Sequence, residues 1–214
     1  LAKLDTRIIA VEFDRDLIGY LTKLTRSYGN VTIVHQDFLT FVPPDGEFAL
    51  VGNLPYNLTT PVIDYCLKYR KQLSQAVLMV QDEMAARLAA SPGEKGWSPV
   101  SVFTQLCFSV ERAFSVPPTA FRPVPKVNSA VIQLLPLESE IEAKDALFEK
   151  VVRAAFGQRR KLLTNNLITS LDLKAEIARS VIADSGLPDD IRAEQMSIEK
   201  FLELTKHLKA HTIV

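Results

Sequence analysis

One short motif in the first third of the chain combines residue types that can hold a planar amine. Residues 52–62 read GNLPYNLTTPV and follow the apolar run FALV at 48–51. Pro55 cannot donate to a strand ladder, so it marks the point where a strand stops pairing and the backbone turns. The sequence therefore predicts that an amide, Asn53, and an aromatic ring, Tyr56, lie at the end of a buried strand.

Such a motif suits the alkylation of a purine amine. This amine is a poor nucleophile because its lone pair is delocalised into the ring, so a catalyst must hold the nitrogen and direct the lone pair at an electrophile. The Asn53 carboxamide oxygen and the Leu54 carbonyl can accept its two N–H groups, and Pro55 turns that carbonyl outward. Tyr56 can stack on the extruded base, which is worth about 1–3 kcal/mol per base in single-strand binders. A sulfonium methyl donor makes a general base unnecessary.

Acidic residues end the two strands predicted before this motif. Glu12 closes the first in AVEFDRD, and Asp37 closes the second in VHQDFL. Ligands of open parallel sheets collect at the carboxyl ends of strands, where an acid can hold ribose hydroxyls and a neighbouring acceptor an adenine amine. The two acids are therefore predicted to bind a nucleoside. The alternative is that each caps the helix after it, because acids stabilise helix N-termini.

The elements that position these residues alternate between strands and helices. The apolar, β-branched runs are residues 7–13, 31–37, 48–53 and 75–81. Helical segments separate them at 15–29 and 59–73. This alternation predicts a parallel sheet with right-handed crossovers, and so an α/β fold.

The middle of the chain is predicted to complete the sheet. A helix at 82–90 and a loop at 91–99 lead to three further apolar runs, residues 100–108, 109–116 and 128–137. The last two runs are predicted to pair antiparallel at one edge of the sheet. Within the loop, Lys95 and Trp97 are interpreted either as a lid on the substrate side or, preferably, as plain surface.

The last third of the chain is predicted to be helical. Helical periodicity covers residues 144–156, 159–168, 173–186 and 197–211. Gly186 and Pro188 indicate a helix stop and a new start. The sequence thus predicts two domains, a sheet domain at 1–137 and a small all-helical domain at 138–214.

Composition excludes several classes of protein. In 214 residues, 25 basic and 25 acidic side chains cancel, so only a local basic surface can attract phosphates. No apolar run reaches the roughly 20 residues of a membrane helix, and no secretory signal is present, so a cytoplasmic protein without a membrane partner is expected. Cys66 and Cys107 lack metal-ligand spacing with the histidines; reduced core residues are expected, rather than a disulfide or a reactive thiol, and no metal.

Several motifs together resemble a known family. NLPYN after a strand, the upstream acids, VPPTAFRPVPKVNSAV at 116–131, AFGQRRKLLTNNL at 155–167 and IRAEQMSIEKF at 191–201 are similar to those of ribosomal RNA adenine dimethyltransferases. The resemblance covers essentially the whole chain. It implies a Rossmann-like methyltransferase sheet with a small C-terminal helical domain.

The resemblance also implies site roles. Glu12, with Phe13 beside it, would hold the ribose of S-adenosylmethionine, and Asp37 with Phe38 its adenine. Residues 53–56 would bind the target adenine, with Asn53 also facing the donor and Phe121 as a second aromatic on the target base rather than a core phenylalanine. RNA contact is expected from the cations Arg122, Lys126, Arg159, Arg160 and Lys161, although such a charge run is often only a solvated face.

One family feature is missing from the sequence. The glycine-rich methionine-binding loop and the first strand, which normally lies between the strands ending in Glu12 and Asn53, do not precede IIAVEFD at 8–14. Their absence would leave unpaired backbone groups inside a sheet. The expectation is that the gene encodes more residues, and that the donor pocket of residues 1–214 alone is incomplete and inactive.

The resulting hypothesis is S-adenosylmethionine-dependent N6,N6-dimethylation of two adjacent adenosines in small-subunit (16S) ribosomal RNA, by a monomer acting on the pre-30S particle. Two alternatives stay open. The first is a catalytically silent RNA-binding assembly factor. The second is a methyltransferase for large-subunit ribosomal RNA, whose pocket motif would look similar.

Overall fold

The computed structural model describes residues 1–138 and 145–212. The chain forms two compact units, Leu1–Gly46 and Glu47–Val214. In the first unit, β1 (Ile8–Glu12) and β2 (Val31–His35) pair in parallel, and α1 (Arg15–Thr25) connects them. The ends of both strands therefore share one edge, as the sequence predicts.

The second unit contains a four-stranded sheet in the order β3-β4-β6-β5. Its strands are β3 (Phe48–Asn53), β4 (Leu73–Gln81), β5 (Phe108–Val116) and β6 (Ser129–Pro136). β3 and β4 are parallel, with α2 (Thr59–Lys68) between them in the chain, and β6 is antiparallel to both β4 and β5. The predicted antiparallel pair at one edge of the sheet is confirmed.

The core of this sheet follows the two-residue period of a strand. On β4, Ala76, Leu78 and Val80 are fully buried and alternate with partly exposed residues. Ala130 and Ile132 on β6 are likewise buried, in register with Val80 and Leu78. Their burial fixes the register, because a shift by one residue would turn these side chains to the opposite face.

Two helices lie between β4 and β5, where the sequence predicted only one. They are α3 (Asp82–Leu88) and α4 (Pro99–Gln105). The apolar run at 100–108 is therefore mostly helix, and Phe108 alone belongs to β5. The local cause is the N-terminal cap: Ser98 N donates to Ser101 Oγ at 3.1 Å and Pro99 occupies the first turn, where its missing N–H costs nothing.

The four helices predicted in the last third are confirmed. They are α5 (Ala146–Ala155), α6 (Leu163–Leu171), α7 (Ala175–Asp184) and α8 (Ile198–Thr212). Asp145 caps α5 by accepting from Leu147 N at 2.8 Å, and Gly186 after α7 has a φ of +62°, which glycine adopts without strain. The predicted boundary between 137 and 138 adjoins residues 139–144, which lie outside the described residues, and stays a prediction.

The strand that the resemblance places between β1 and β3 has no counterpart in the described residues. β1 and β3 belong to separate hydrogen-bonded sheets, and no described strand pairs with both. Both cysteines are buried and neither is in a disulfide, as predicted. Within residues 1–138 and 145–212, no helix has the length and apolar character needed to cross a membrane.

Candidate active site

The Asn-Leu-Pro-Tyr motif forms a tight turn at the carboxyl end of β3. Asn53 is the last residue of the strand, and Leu54 N still donates to Met79 O on β4 at 3.2 Å. Pro55 then turns the chain with φ −54° and ψ 135°, and its carbonyl accepts from Leu58 N at 2.9 Å. The strand pairing stops at the residue before the proline, as the sequence predicts.

Two acceptor groups of this turn are open. Asn53 is exposed, and within the described parts of the chain neither its carboxamide nor the Leu54 carbonyl forms a hydrogen bond. The Leu54 side chain folds back over Gly52, where an added Cβ would lie 3.1 Å from Leu54 Cδ2. A larger residue at 52 would therefore displace Leu54. The turn thus offers two oxygen acceptors on neighbouring residues to an external donor.

The Tyr56 side chain, two residues after Leu54, is partly exposed to solvent. Tyr56 is 37% exposed, and its hydroxyl lies 3.3 Å from Oγ of Ser129 at the start of β6. Its carbonyl accepts from Thr59 Oγ1 at 3.3 Å. The side chain is held at its polar end while part of its surface faces solvent, which is the arrangement that stacking on a base requires.

The proline-rich loop meets the same edge of the sheet. Asp82 N, which follows the last residue of β4, donates to Asn128 O at 3.0 Å. A cavity of about 340 Å³ lies there, lined by Gln81, Asp82, Glu83, Pro118, Lys126, Val127 and Asn128. Phe121, half-buried, follows the 3-10 turn Pro118–Ala120 of this loop. The structure thus brings Lys126 to the edge that carries the motif.

In the first unit, each of the two acids accepts a hydrogen bond from a backbone N–H just after its strand. Glu12 Oε1 accepts from Asp14 N at 2.8 Å, and Asp37 Oδ1 accepts from Leu39 N at 2.9 Å. The capping alternative is therefore confirmed for Asp37, which caps the 3-10 turn Phe38–Thr40, and is wrong for Glu12, because Asp14 caps α1 by accepting from Asp16 N at 2.9 Å. The backbone hydrogen bond uses one oxygen of each carboxylate, and the second oxygen forms no hydrogen bond within the described residues. At both acids, the backbone hydrogen bond leaves one oxygen available for a ligand.

Aromatic side chains adjoin both acids. Phe13 is 73% exposed directly after Glu12, while Phe38 is half-buried after Asp37. Gln36 N donates to Glu12 O at 3.0 Å, so the segments after β1 and β2 remain joined beyond the strands. The first unit therefore presents two carboxylates and an exposed ring at one edge of its sheet.

The three consecutive cations differ in their surroundings. Arg159 Nε donates to Glu194 Oε2 at 3.2 Å, and its Nη2 donates to the carbonyl of Lys95. Arg160 and Lys161 are exposed, and neither has an ion-pair partner within residues 1–138 and 145–212. In the proline-rich loop, Arg122 is exposed and, among the described residues, its side chain donates only to the neighbouring carbonyl of Phe121, at 3.2 Å. The predicted cluster therefore contains one residue engaged within the protein and two available cations.

The turn that carries Arg159, Arg160 and Lys161 is held by hydrogen bonds from a residue of α6. Asn166 on α6 is 2% exposed, and its Nδ2 donates to Ala155 O at 2.6 Å and to Gln158 O at 3.1 Å. A buried amide thereby satisfies the carbonyl of Ala155, the last residue of α5, and a carbonyl of the turn itself. Arg160 and Lys161 are displayed on a rigid turn.

The interpretation of the loop at 91–99 is wrong for Trp97. Its side chain is 2% exposed, and its Nε1 donates to Met196 O at 3.0 Å, so the residue is neither a lid nor plain surface. Gly93 N also donates to Glu194 O at 2.6 Å. The chain contains one tryptophan, and the size of this side chain was the signal for burial. The loop packs against residues 193–196, which the helical part contributes.

Sequence reasoning also missed Ser129. It is 1% exposed, and its hydroxyl meets Tyr56. No local pattern marks a serine that follows a proline-rich loop as a partner of a tyrosine 73 residues away. Among the described residues, no group of three His, Cys, Asp or Glu side chains is arranged to hold a metal ion.

The fold is that of a Rossmann-like methyltransferase, as predicted. A dimethyladenosine transferase from Plasmodium falciparum superimposes with a TM-score of 0.84 at 22% identity, over 96% of this chain and 83% of that chain. The 23S rRNA methyltransferase ErmE superimposes with a TM-score of 0.70 at 26% identity, over 95% of this chain and 82% of that chain. These similarities confirm the α/β class with its helical appendage.

The chain belongs to the ribosomal RNA adenine dimethylase family, whose profile matches residues 1–210. A relative from Syntrophus aciditrophicus, named ribosomal RNA small subunit methyltransferase A, is 38% identical over 93% of this chain and 75% of its own length. A relative of the same name from Legionella pneumophila is 39% identical over 94% of this chain and 78% of its own length. The predicted family is confirmed.

Proposed function

We propose that the protein transfers methyl groups from S-adenosylmethionine to N6 of two adjacent adenosines in small-subunit (16S) ribosomal RNA, giving N6,N6-dimethyladenosine. The observation that carries the proposal is the pair of open acceptors at the end of β3. The Asn53 carboxamide and the Leu54 carbonyl have no hydrogen-bond partner within the described residues, in a chain of the adenine dimethylase family.

The first unit fits the nucleoside part of the donor. Each of Glu12 and Asp37 keeps one carboxylate oxygen that bonds to nothing in the described chain, and such an oxygen accepts from a ribose hydroxyl or an adenine amine. The 73% exposed ring of Phe13 provides an apolar surface for a nucleobase beside Glu12. We assign Glu12 and Phe13 to the ribose, and Asp37 and Phe38 to the adenine.

The second unit fits the acceptor base. The Asn53 and Leu54 oxygens hold the two N–H groups of the exocyclic amine, so that its lone pair points away from the purine plane. Tyr56, and Phe121 from the proline-rich loop, hold the faces of the extruded base. When bound, S-adenosylmethionine supplies a methyl carbon whose bond to sulfur breaks as the bond to N6 forms, with the electron pair going to sulfur.

Only the positioning groups act on the amine afterwards. N6 carries an excess proton after the transfer, and the carboxamide oxygen and the carbonyl hold the amine while that proton leaves to water. A monomethylated amine still has one N–H, which one of the two acceptors can hold. The same turn therefore serves both transfers to each adenosine.

The names of the relatives favour the small subunit. The relatives called ribosomal RNA small subunit methyltransferase A reach 38–39% identity over 92–94% of this chain. The solved 23S rRNA methyltransferase ErmE reaches 26%. We infer that RNA is held by Arg122 and Lys126 of the proline-rich loop and by Arg160 and Lys161. The sheet domain is then residues 1–137, and Arg160 and Lys161 belong to a helical domain at 138–214. The substrate is then the pre-30S particle, the location is the cytoplasm, and the active form is a monomer.

The direct test is nucleoside analysis after reaction of the whole gene product. Small and large ribosomal subunits that lack dimethyladenosine are incubated with methyl-labelled S-adenosylmethionine, and the digested RNA is analysed by mass spectrometry. The proposal predicts labelled N6,N6-dimethyladenosine from the small subunit alone. Label in large-subunit RNA alone would instead identify a large-subunit enzyme. Binding of small subunits with no label in either RNA would identify a silent assembly factor.

A further inference from the structure

We propose that Ser129 is a positioning residue that holds the Tyr56 ring ready for the target base. The proposal rests on the proposed function, since it takes Tyr56 as the stacking partner of the extruded adenine. Ser129 is the first residue of β6 and is 1% exposed. It touches the reaction only through Tyr56.

The two hydroxyls depend on each other. Tyr56 Oη and Ser129 Oγ lie 3.3 Å apart, and neither hydroxyl has another hydrogen-bond partner within residues 1–138 and 145–212. Buried hydroxyls are rarely left unpaired, because removal from water costs free energy that only a hydrogen bond offsets. The buried Ser129 hydroxyl therefore draws the phenol of Tyr56 toward β6.

Ser129 is itself a fixed point. Its backbone is in register with Gln81 on β4 and with Val116 on β5, and the preceding carbonyl of Asn128 accepts from Asp82 N at 3.0 Å. Pairing on both sides leaves little room for the residue to shift. The hydrogen bond between Tyr56 and Ser129 thus joins the turn after β3 to a rigid position two strands away, across β4.

Part of the Tyr56 side chain faces solvent and is available to stack on a base. Tyr56 is 37% exposed although its hydroxyl is tied to a buried partner. An aromatic side chain anchored at its polar end cannot change rotamer without breaking that bond, so its orientation is set before RNA arrives. Fixing a side chain beforehand removes an ordering cost that would otherwise be met on binding.

A double-mutant cycle tests the proposal. Ser129→Ala removes the anchor, and Tyr56→Phe keeps the ring but removes its hydroxyl. Each single variant is expected to lower kcat/KM for methyl transfer about three- to tenfold, the effect of losing one hydrogen bond. Because both remove the same bond, the double variant is expected to be no slower than the slower single variant.

A second readout does not depend on methyl transfer. An RNA hairpin with 2-aminopurine at the target position loses fluorescence when the base stacks on the ring, and both single variants are expected to weaken this quenching to the same extent. Ser74→Ala is the matched control, since Ser74 lies at the opposite end of β4 and donates to Phe48 O at 3.1 Å. It is expected to leave both readouts unchanged.

Different results of these experiments would overturn the positioning role of Ser129 and the proposed function. Losses that multiply in the double variant, or a Ser129→Ala protein that matches the wild type, would overturn the positioning role. If Ser129→Ala does not fold, Tyr56→Phe alone decides, and wild-type rates and quenching in that variant would overturn the role. Absence of methyl transfer by the wild type refutes the proposed function instead, while the quenching cycle still tests Ser129.

Discussion

The indole nitrogen of Trp97 donates to the carbonyl of Met196 at 3.0 Å, across 99 residues of sequence. This buried hydrogen bond joins the loop after α3 to the segment before α8. Gly93 N and Glu194 O form a second link at 2.6 Å. The loop at 91–99 therefore stabilises the segment that leads into α8.

Replacing Trp97 with Phe is expected to lower the free energy of unfolding by about 1–3 kcal/mol, because the Met196 carbonyl loses its buried donor. Urea denaturation of the purified protein measures the difference. Lys95→Ala, in the same loop, is the control and is expected to change stability by less than about 0.5 kcal/mol. Equal stabilities of the Trp97→Phe variant and the wild type would show that the link is unimportant.

The cations of the turn after α5 are expected to have separate roles. Arg159→Ala removes an exposed ion pair with Glu194 and should cost no more than about 1 kcal/mol of stability. The double variant of Arg160 and Lys161 to Ala should keep its stability but weaken RNA binding, with the salt dependence of log K reduced by about one per cation.

Binding of a small-subunit RNA fragment at several salt concentrations checks this division. Arg179→Ala on α7, an exposed cation outside the turn, should bind RNA as the wild type does. An unchanged salt dependence in the Arg160 and Lys161 double variant would remove this turn from the RNA interface.

Glu12→Gln separates the backbone hydrogen bond of Glu12 from donor binding. The glutamine amide oxygen can still accept from Asp14 N, so the fold of the first unit should persist. Loss of the charge should weaken binding of S-adenosylmethionine by at least about tenfold, since hydrogen bonds to charged groups contribute about 1.5–3 kcal/mol. Isothermal titration of the whole gene product measures the affinity. A dissociation constant equal to that of the wild type would limit Glu12 to its hydrogen bond with Asp14 N.

Burial raises the pKa of the Cys66 thiol to about 12. The unfolded chain releases this proton near pH 8.5, so the contribution of Cys66 to stability is complete below that pH and is lost as the pH rises toward 12. Between pH 9 and 11, the free energy of unfolding of Cys66→Ala should fall less steeply than that of the wild type, by up to about 1.4 kcal/mol per pH unit.

Urea denaturation at each pH measures the two slopes. A thiol reagent at pH 8 provides an independent check, because Cys66 should react only after unfolding. Parallel pH profiles of the two proteins would contradict the raised pKa.

The alternation of strands and helices could be predicted from the sequence because the period of the apolar residues and the positions of glycine and proline agree. Pro55 follows the end of β3 because it cannot donate to a strand ladder. Gly186 follows α7 because glycine adopts a positive φ without strain. The helix α4 was missed because VSVFTQLCF is rich in β-branched residues, while its helical state is decided by the cap at Ser98 and by burial of Val102.

The candidate site was accessible only where it is local. Residues 53–56 form one turn, so their types and order were sufficient to predict it. The partners of Tyr56 and Arg159 come from distant segments, and local patterns contain no information on them. The same holds for Trp97, whose size indicates burial but not the carbonyl that it meets.

The measurement that tests the central claim most directly is single-turnover methyl transfer by Asn53→Ala, together with RNA affinity. The Asn53 side chain has no partner within the described chain, so the variant should fold normally and bind RNA within about twofold of the wild type. The rate should fall by about 100-fold or more, as when one preorganised polar group of an active site is removed. Asn57→Ala, an exposed amide in the same turn, is the matched control. A parallel loss of RNA binding and rate, or a rate equal to that of the wild type, would contradict the assignment of Asn53 to the target amine.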